Sequence, residues 1–190
     1  MKGRESGMPA QAAWDSYFDG EKAIELLFDG RDVDGHTVDL GCGYGTFTIP
    51  AARRTRGNLT ALDIDPSMVR LVSRKAAELS LGNVRALVRD FVRYGTGLPN
   101  ASQAQAMIFN LLHIEDPLSL LREARRILKD DGAVSIIHWR SDIPTPRGPP
   151  ATIRPSPDAC RKWLHAAGFG AVEAVDISSS CPYHFALIGR

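Results

Sequence analysis

Residues 38–46 read Val38-Asp39-Leu40-Gly41-Cys42-Gly43-Tyr44-Gly45-Thr46, a short apolar run that breaks into three alternating glycines with an acid two residues before the first. The spacing decides what such a loop can hold. A dinucleotide fingerprint is G-x-G-x-x-G, its third glycine letting a helix pack on the strand beside a pyrophosphate. This loop is G-x-G-x-G and carries no Lys-Ser or Lys-Thr of a phosphate-binding loop. A cofactor without phosphate but with a charged amino-acid end fits better, because glycines permit close backbone approach and Asp39 can receive an ammonium.

Outward from this loop the chain alternates between β-rich runs and helical patterns, which predicts a doubly wound α/β fold: a mostly parallel sheet with helices on both faces. Strands are expected over His36–Leu40, Leu59–Ile64, Val84–Arg89, Ala104–Phe109, Ala133–His138, Ala171–Ile177 and Tyr183–Gly189, seven in all. Between them, helices are expected from Thr46 to Arg56, from Asp65-Pro66 to Leu79, from Asp116-Pro117 until Gly132 stops it, and from Ser156-Pro157 to Ala167. The Asp-Pro and Ser-Pro pairs supply an N-cap followed by proline at the first helical position. Trp139–Pro157 holds six of the twelve prolines and reads as a long loop, a lid or a disordered connection. The division expected is an N-terminal helical cap segment, residues 1–32, and a cofactor-binding domain, residues 33–190.

The other strand ends carry polar groups as well. Leu62-Asp63-Ile64-Asp65 closes the second strand and puts Asp63 22 residues beyond Gly41, where a carboxylate is placed to accept both hydroxyls of a ribose. Arg89-Asp90-Phe91 closes the third strand with an acid and a flat ring, and Asn110-Leu111-Leu112-His113 closes the fourth. Taken in order, DLGCGYG, LDID, RDF and FNLLH resemble the four motifs of the class I S-adenosylmethionine-dependent methyltransferases, and the terminal strands AVEAVDI and YHFALIGR resemble that family's last pair. The RESGMP start, WDSYFD and HWRSDIPTPRGPP look like features of a small branch of it.

The resemblance implies S-adenosyl-L-methionine as cofactor, with Asp39, Gly41 and Gly43 at its methionine end and Asp63 on the ribose. It further implies that Ile64 flanks the adenine, Asp90 accepts its exocyclic amine with Phe91 close by, and Asn110 lines the methionine side. No catalytic residue is implied. His113 and His138 lie at the carboxyl ends of strands, the edge where open parallel sheets bind ligands, and His113 is the weak candidate for a base. Trp14, Tyr17 and Phe18 recur at helical spacing, so Trp14 and Phe18 are candidates for a substrate wall. Arg140, Arg147 and Arg154 interleave with the prolines and are candidates to grip an anionic substrate.

The composition narrows the acceptor. With 23 Lys plus Arg against 22 Asp plus Glu, the 190-residue chain has a formal net charge of +1, without the basic excess of a typical nucleic-acid binder. Arg53, Arg54 and Arg56 read as partners of a helix dipole. Cys42, Cys160 and Cys181 show no metal-like or disulfide spacing, and no apolar run approaches the roughly 18 residues of a membrane span. The expectation is a cytoplasmic enzyme without a metal that transfers a methyl group to a small molecule by in-line displacement. A methyltransferase of RNA or protein acting with a partner, and a non-catalytic cofactor-binding protein, are the alternatives.

Overall fold

The computed structural model describes residues 9–190. Apart from Pro9, the RESGMP start and the first part of the expected cap segment lie outside them. Seven strands form one sheet in the order β3-β2-β1-β4-β5-β7-β6: β1 (Thr37–Leu40), β2 (Leu59–Asp63), β3 (Val84–Val88), β4 (Gln103–Phe109), β5 (Leu128–Trp139), β6 (Val172–Val175) and β7 (His184–Gly189). The pairings β3-β2-β1-β4-β5 are parallel, and β7 runs antiparallel to both β5 and β6. The strand order therefore reverses between β1 and β4, and the carboxyl ends of these two strands flank the crevice where such sheets take ligands.

Helices α1 (Gln11–Asp15), α2 (Gly20–Leu27), α3 (Thr48–Arg53), α4 (Pro66–Glu78), α5 (Phe91–Tyr94), α6 (Pro117–Ile127) and α7 (Pro157–Ala166) complete the fold. The caps are those expected from sequence: Asp65 accepts from Ser67 N at 2.7 Å, Asp116 from Ser119 N at 3.0 Å and Ser156 from Ala159 N at 3.2 Å. The sheet separates two cores. One joins α6 and α7 through Leu121, Ala124, Leu164 and Phe169 to Val38, Leu40 and Ile136. The other joins α2, α3 and α4 through Ile24, Ala51 and Val72 to Leu59, Met107 and Ile137. Burying these side chains is the main favourable term of the fold. Ala23 and Ile24 of α2 are wholly buried, so this helix is part of the core.

Several elements depart from the sequence reading. α3 ends at Arg53, short of Arg56, because the chain turns so that Val33 bridges Thr55 and the hydroxyls of Thr37 and Thr55 meet at 2.9 Å. α6 ends at Ile127, and Leu128 is already the first residue of β5, paired with Gln103. Gly132 is thus inside a bulge: Ala133 pairs with Gln105 while Lys129, Asp130 and Asp131 loop out. A buried Leu128 serves a helix face or a strand equally well, which is why apolar periodicity could not separate the two. Finally, α4 ends at Glu78, and Leu79, the expected last residue of the helix, is its C-cap and 47% exposed.

Candidate cofactor and methyl-transfer site

The glycine loop leaves β1 with Gly41, Gly43 and Gly45 at φ of 82°, 50° and 78°, a left-handed backbone that side chains rarely adopt. A Cβ on Gly41 would lie 2.9 Å from Leu111 Cδ1, so the β4–α6 connection packs directly on the loop. Asp39, buried beneath it, accepts the Thr48 hydroxyl of α3 at 2.6 Å. Asp63, at the end of β2, accepts Gly43 N at 2.8 Å and Asp65 N at 2.9 Å. A carboxylate has about four lone-pair sites, so both functions leave Asp63 able to accept further hydrogen bonds.

The electrostatics favour a cation. Burial pushes the Asp39 carboxyl up to about 7, with the Thr48 hydroxyl opposing and the charge of Asp63 reinforcing the shift. Burial also raises Asp63, against the backbone N–H groups of Asp65 and Gly43. Two carboxylates held near each other in this way are relieved by a positive ligand. Cys42 lies between them, and its thiol is pushed upward by burial and then by both carboxylates, which makes it an inert filler.

Asn110, directly after β4, has φ 58°, a left-handed conformation that asparagine tolerates better than most residues. Both Oδ1 and Nδ2 of its amide are buried without a partner, at a cost of about 1–3 kcal/mol per group. An orphaned amide on the β4 side of the strand-order reversal, a left-handed glycine loop and two strained carboxylates together fit S-adenosylmethionine: an ammonium and carboxylate at one end, ribose hydroxyls at the other. Ile64 is 36% exposed at the carboxyl end of β2, an apolar surface suited to a flat base.

Two expected adenine contacts meet a different local structure. Asp90 caps the short helix α5 by accepting Arg93 N at 3.0 Å, and Phe91 is buried in the core that includes Leu40 and Leu62. The sequence reading had no helix here, because four residues are too few to show a period.

The candidate substrate residues separate into distinct groups. Tyr17 and Phe18 meet Trp139 and His184, with Trp14 packed on Phe18: Phe18 lies 4.7 Å from the His184 ring, Tyr17 lies 5.7 Å from Trp139 and Trp14 lies 4.7 Å from Phe18. The same segment docks on the glycine loop, with Trp14 Nε1 donating to Thr46 Oγ1 at 3.1 Å, Thr46 Oγ1 donating to Asp15 at 3.0 Å and Tyr44 OH donating to the Pro9 carbonyl. Arg140 pairs with Asp142 at the surface and Arg147 is exposed. Arg154 instead pins the proline-rich loop. It donates to the carbonyls of Pro149, Arg140 and Arg147 and to the Thr145 hydroxyl, with its guanidinium 5.8 Å from the Trp139 ring. This segment, with a 3₁₀ turn at Ala151–Ile153, is therefore cross-linked from within. Lone arginines in a proline run give no hint of that in sequence.

Elsewhere, Arg53, Arg54 and Arg56 face Glu21, Glu25 and Asp32. The three cysteines are buried and free. Among the described residues no group of His, Cys, Asp and Glu is placed to hold a metal, and no helix is long and apolar enough to cross a membrane.

This fold and this site define a cofactor-binding domain of the methyltransferase type. The chain belongs to the class I S-adenosylmethionine-dependent methyltransferases: a family model described as a methyltransferase domain matches residues 37–132, half of the chain. It is similar to the structure of an S-adenosylmethionine-dependent methyltransferase from Aquifex aeolicus, with a TM-score of 0.77 at 23% identity over 94% of this chain and 92% of that one. Among curated relatives, it is 30% identical to nocamycin O-methyltransferase of Saccharothrix syringae over 60% of this chain and 41% of the relative. It is also 30% identical to a 23S rRNA (uracil-C5) methyltransferase of Alcanivorax borkumensis over 62% of this chain and 26% of that relative. The chain thus spans well under half of the length of either.

Proposed function

We propose that the protein transfers the methyl group of S-adenosylmethionine to a small-molecule acceptor by in-line displacement. When bound, the cofactor supplies a methyl group on a positively charged sulfur. In this reading Asp39 and Asn110 hold its amino-acid end, Gly41 and Gly43 let the backbone approach, Asp63 accepts the ribose hydroxyls and Ile64 packs on the base. Asp90 would receive the adenine amine with the oxygen not engaged in capping. Holding acceptor and methyl in line supplies much of the rate by proximity.

The observation that carries the choice of a small acceptor is the aromatic wall of Trp14, Tyr17 and Phe18 against Trp139 and His184. It stands at the carboxyl end of β5, whose last residue is Trp139, and apolar rings at that edge suit a partly apolar molecule better than a polyanion. The formal net charge of +1 and the carboxylate partners of Arg53, Arg54 and Arg56 support the same reading, as does the likeness to nocamycin O-methyltransferase. Arg140, paired with Asp142, and the exposed Arg147 stand on the adjoining loop as the cations an acidic group of the acceptor would meet.

Incubation of the full chain with labelled S-adenosylmethionine and either a mixture of small phenols and enols or total RNA tests this. Transfer to the small molecules is expected; transfer confined to RNA would overturn it.

A further inference from the structure

The side chains of His113, in the β4–α6 connection, and His138, near the end of β5, are hydrogen bonded, Nδ1 of His113 to Nε2 of His138 at 3.3 Å. His138 is wholly buried, and its Nδ1 lies 3.2 Å from the Trp139 carbonyl oxygen. A carbonyl can only accept, so His138 Nδ1 carries a hydrogen and its Nε2 presents a lone pair. The proton of the inter-histidine bond must then belong to His113 Nδ1. This leaves His113 Nε2 as a bare lone pair on the side of the ring away from the bond, and that ring is partly exposed. Nε2 forms no other hydrogen bond among the described residues.

Position adds to this tautomer argument. Leu111, two residues before His113, lies where a Cβ on Gly41 would meet its side chain at 2.9 Å, so the partly exposed histidine belongs to the connection that packs on the glycine loop. We infer that His113 is the catalytic base that takes the proton of an acceptor hydroxyl, and that His138 is a positioning residue that fixes His113 in the Nδ1–H tautomer. In the step, the acceptor oxygen forms its bond to the methyl carbon while the electron pair of the carbon–sulfur bond stays on sulfur. The hydroxyl proton passes to Nε2 of His113, and the products are a methyl ether and the neutral thioether. The acceptor class is therefore a phenol or enol hydroxyl, acidic enough to pass its proton to an imidazole as the oxygen–carbon bond forms.

The surroundings keep both rings neutral. Burial holds His113 below the ordinary imidazole range and takes His138 to about 3, with smaller contributions from His113 and Arg154. The Phe185 ring lies 6.2 Å from His138, and His138 in turn lowers the nearby His184. A neutral His113 is ready to accept a proton at neutral pH.

This inference rests on the transfer proposed above, and the test separates the two. Long-range proton–nitrogen NMR of the histidine-labelled full chain should show His113 with Nδ1 protonated and Nε2 bare. His138→Phe removes the acceptor and should return His113 to the Nε2–H form favoured by free imidazole, whereas His138→Gln, whose amide oxygen can accept, should restore the Nδ1–H form. With S-adenosylmethionine and a panel of substituted phenols and enols, His113→Asn should lower turnover by about 10²–10⁴-fold, with affinity for S-adenosylhomocysteine unchanged within about twofold. An Nε2–H tautomer in the wild type overturns the inference even if no panel member is methylated. So does full turnover by His113→Asn. Loss of S-adenosylhomocysteine binding in the wild type would instead overturn the underlying methyltransferase reading.

Discussion

The backbone N–H of Gly43 donates to Asp63 Oδ2 at 2.8 Å, so the carboxylate at the end of β2 holds the middle of the glycine loop. Asp63 thus has a structural task within the loop in addition to the ribose contact proposed for it. Asp63→Ala removes both. Hydrogen bonds to a charged group contribute about 1.5–3 kcal/mol each, and every 1.4 kcal/mol is tenfold in affinity, so S-adenosylhomocysteine should bind at least about 100-fold more weakly by calorimetry. Asp63→Asn, which keeps one acceptor oxygen, should lose less. Equal affinity of wild type and Asp63→Ala would remove Asp63 from the site.

In the proposed site, Asp39 should make cofactor binding depend on pH. Burial raises its carboxyl to about 7, so below that pH it is largely neutral in the free protein. An adjacent ammonium favours the carboxylate and lowers this value, so binding near pH 6 should release a proton. Affinity should rise with pH up to about 7 and level off above it. Calorimetry in buffers of different ionisation enthalpy measures the release, and Asp39→Asn should abolish it.

His184 is buried with neither ring nitrogen hydrogen bonded, against Phe18 at 4.7 Å and Trp139 at 4.0 Å. Its folded value is lowered from 6.5 to about 3, first by burial and then by His138 and Arg154. The unfolded chain therefore takes up a proton below pH 6.5 that the folded chain refuses, and stability is lost as the pH falls from there towards 3. His184→Phe removes this dependence and two orphaned polar atoms. The variant should melt at a higher temperature than wild type, with a larger gain at pH 5 than at pH 7.5.

Arg154 gathers three carbonyls and one hydroxyl of the proline-rich loop. A lysine cannot reproduce that planar fork, so Arg154→Lys should open residues 141–153 to limited proteolysis. Arg140→Ala and Arg147→Ala should leave the loop resistant while altering affinity for an acidic acceptor. Equal cleavage rates for Arg154→Lys and wild type would contradict the pinning role.

The strands and caps were legible in the sequence because they rest on local chemistry: β-rich runs, glycines that permit positive φ, and Asp-Pro or Ser-Pro at helix starts. The glycine loop and the acids at the ends of β1 and β2 were legible for the same reason. What stayed hidden depends on partners far apart in the chain. The bond between His113 and His138 spans two strand ends, Arg154 acts on a loop that only the fold brings around it, and Thr48 reaches Asp39 from the next helix. The end of α6 was misplaced because Leu128 satisfies a helical and a strand pattern equally.

The strand ends around Asp39, Asp63 and Asn110 are the site proposed to bind S-adenosylmethionine. Calorimetric titration of the full chain with S-adenosylhomocysteine tests it most directly. The account predicts one-to-one binding in the micromolar range, about −8 kcal/mol, with competition by S-adenosylmethionine. No heat and no competition at roughly 1 mM ligand, corresponding to affinity weaker than about −4 kcal/mol, would contradict it.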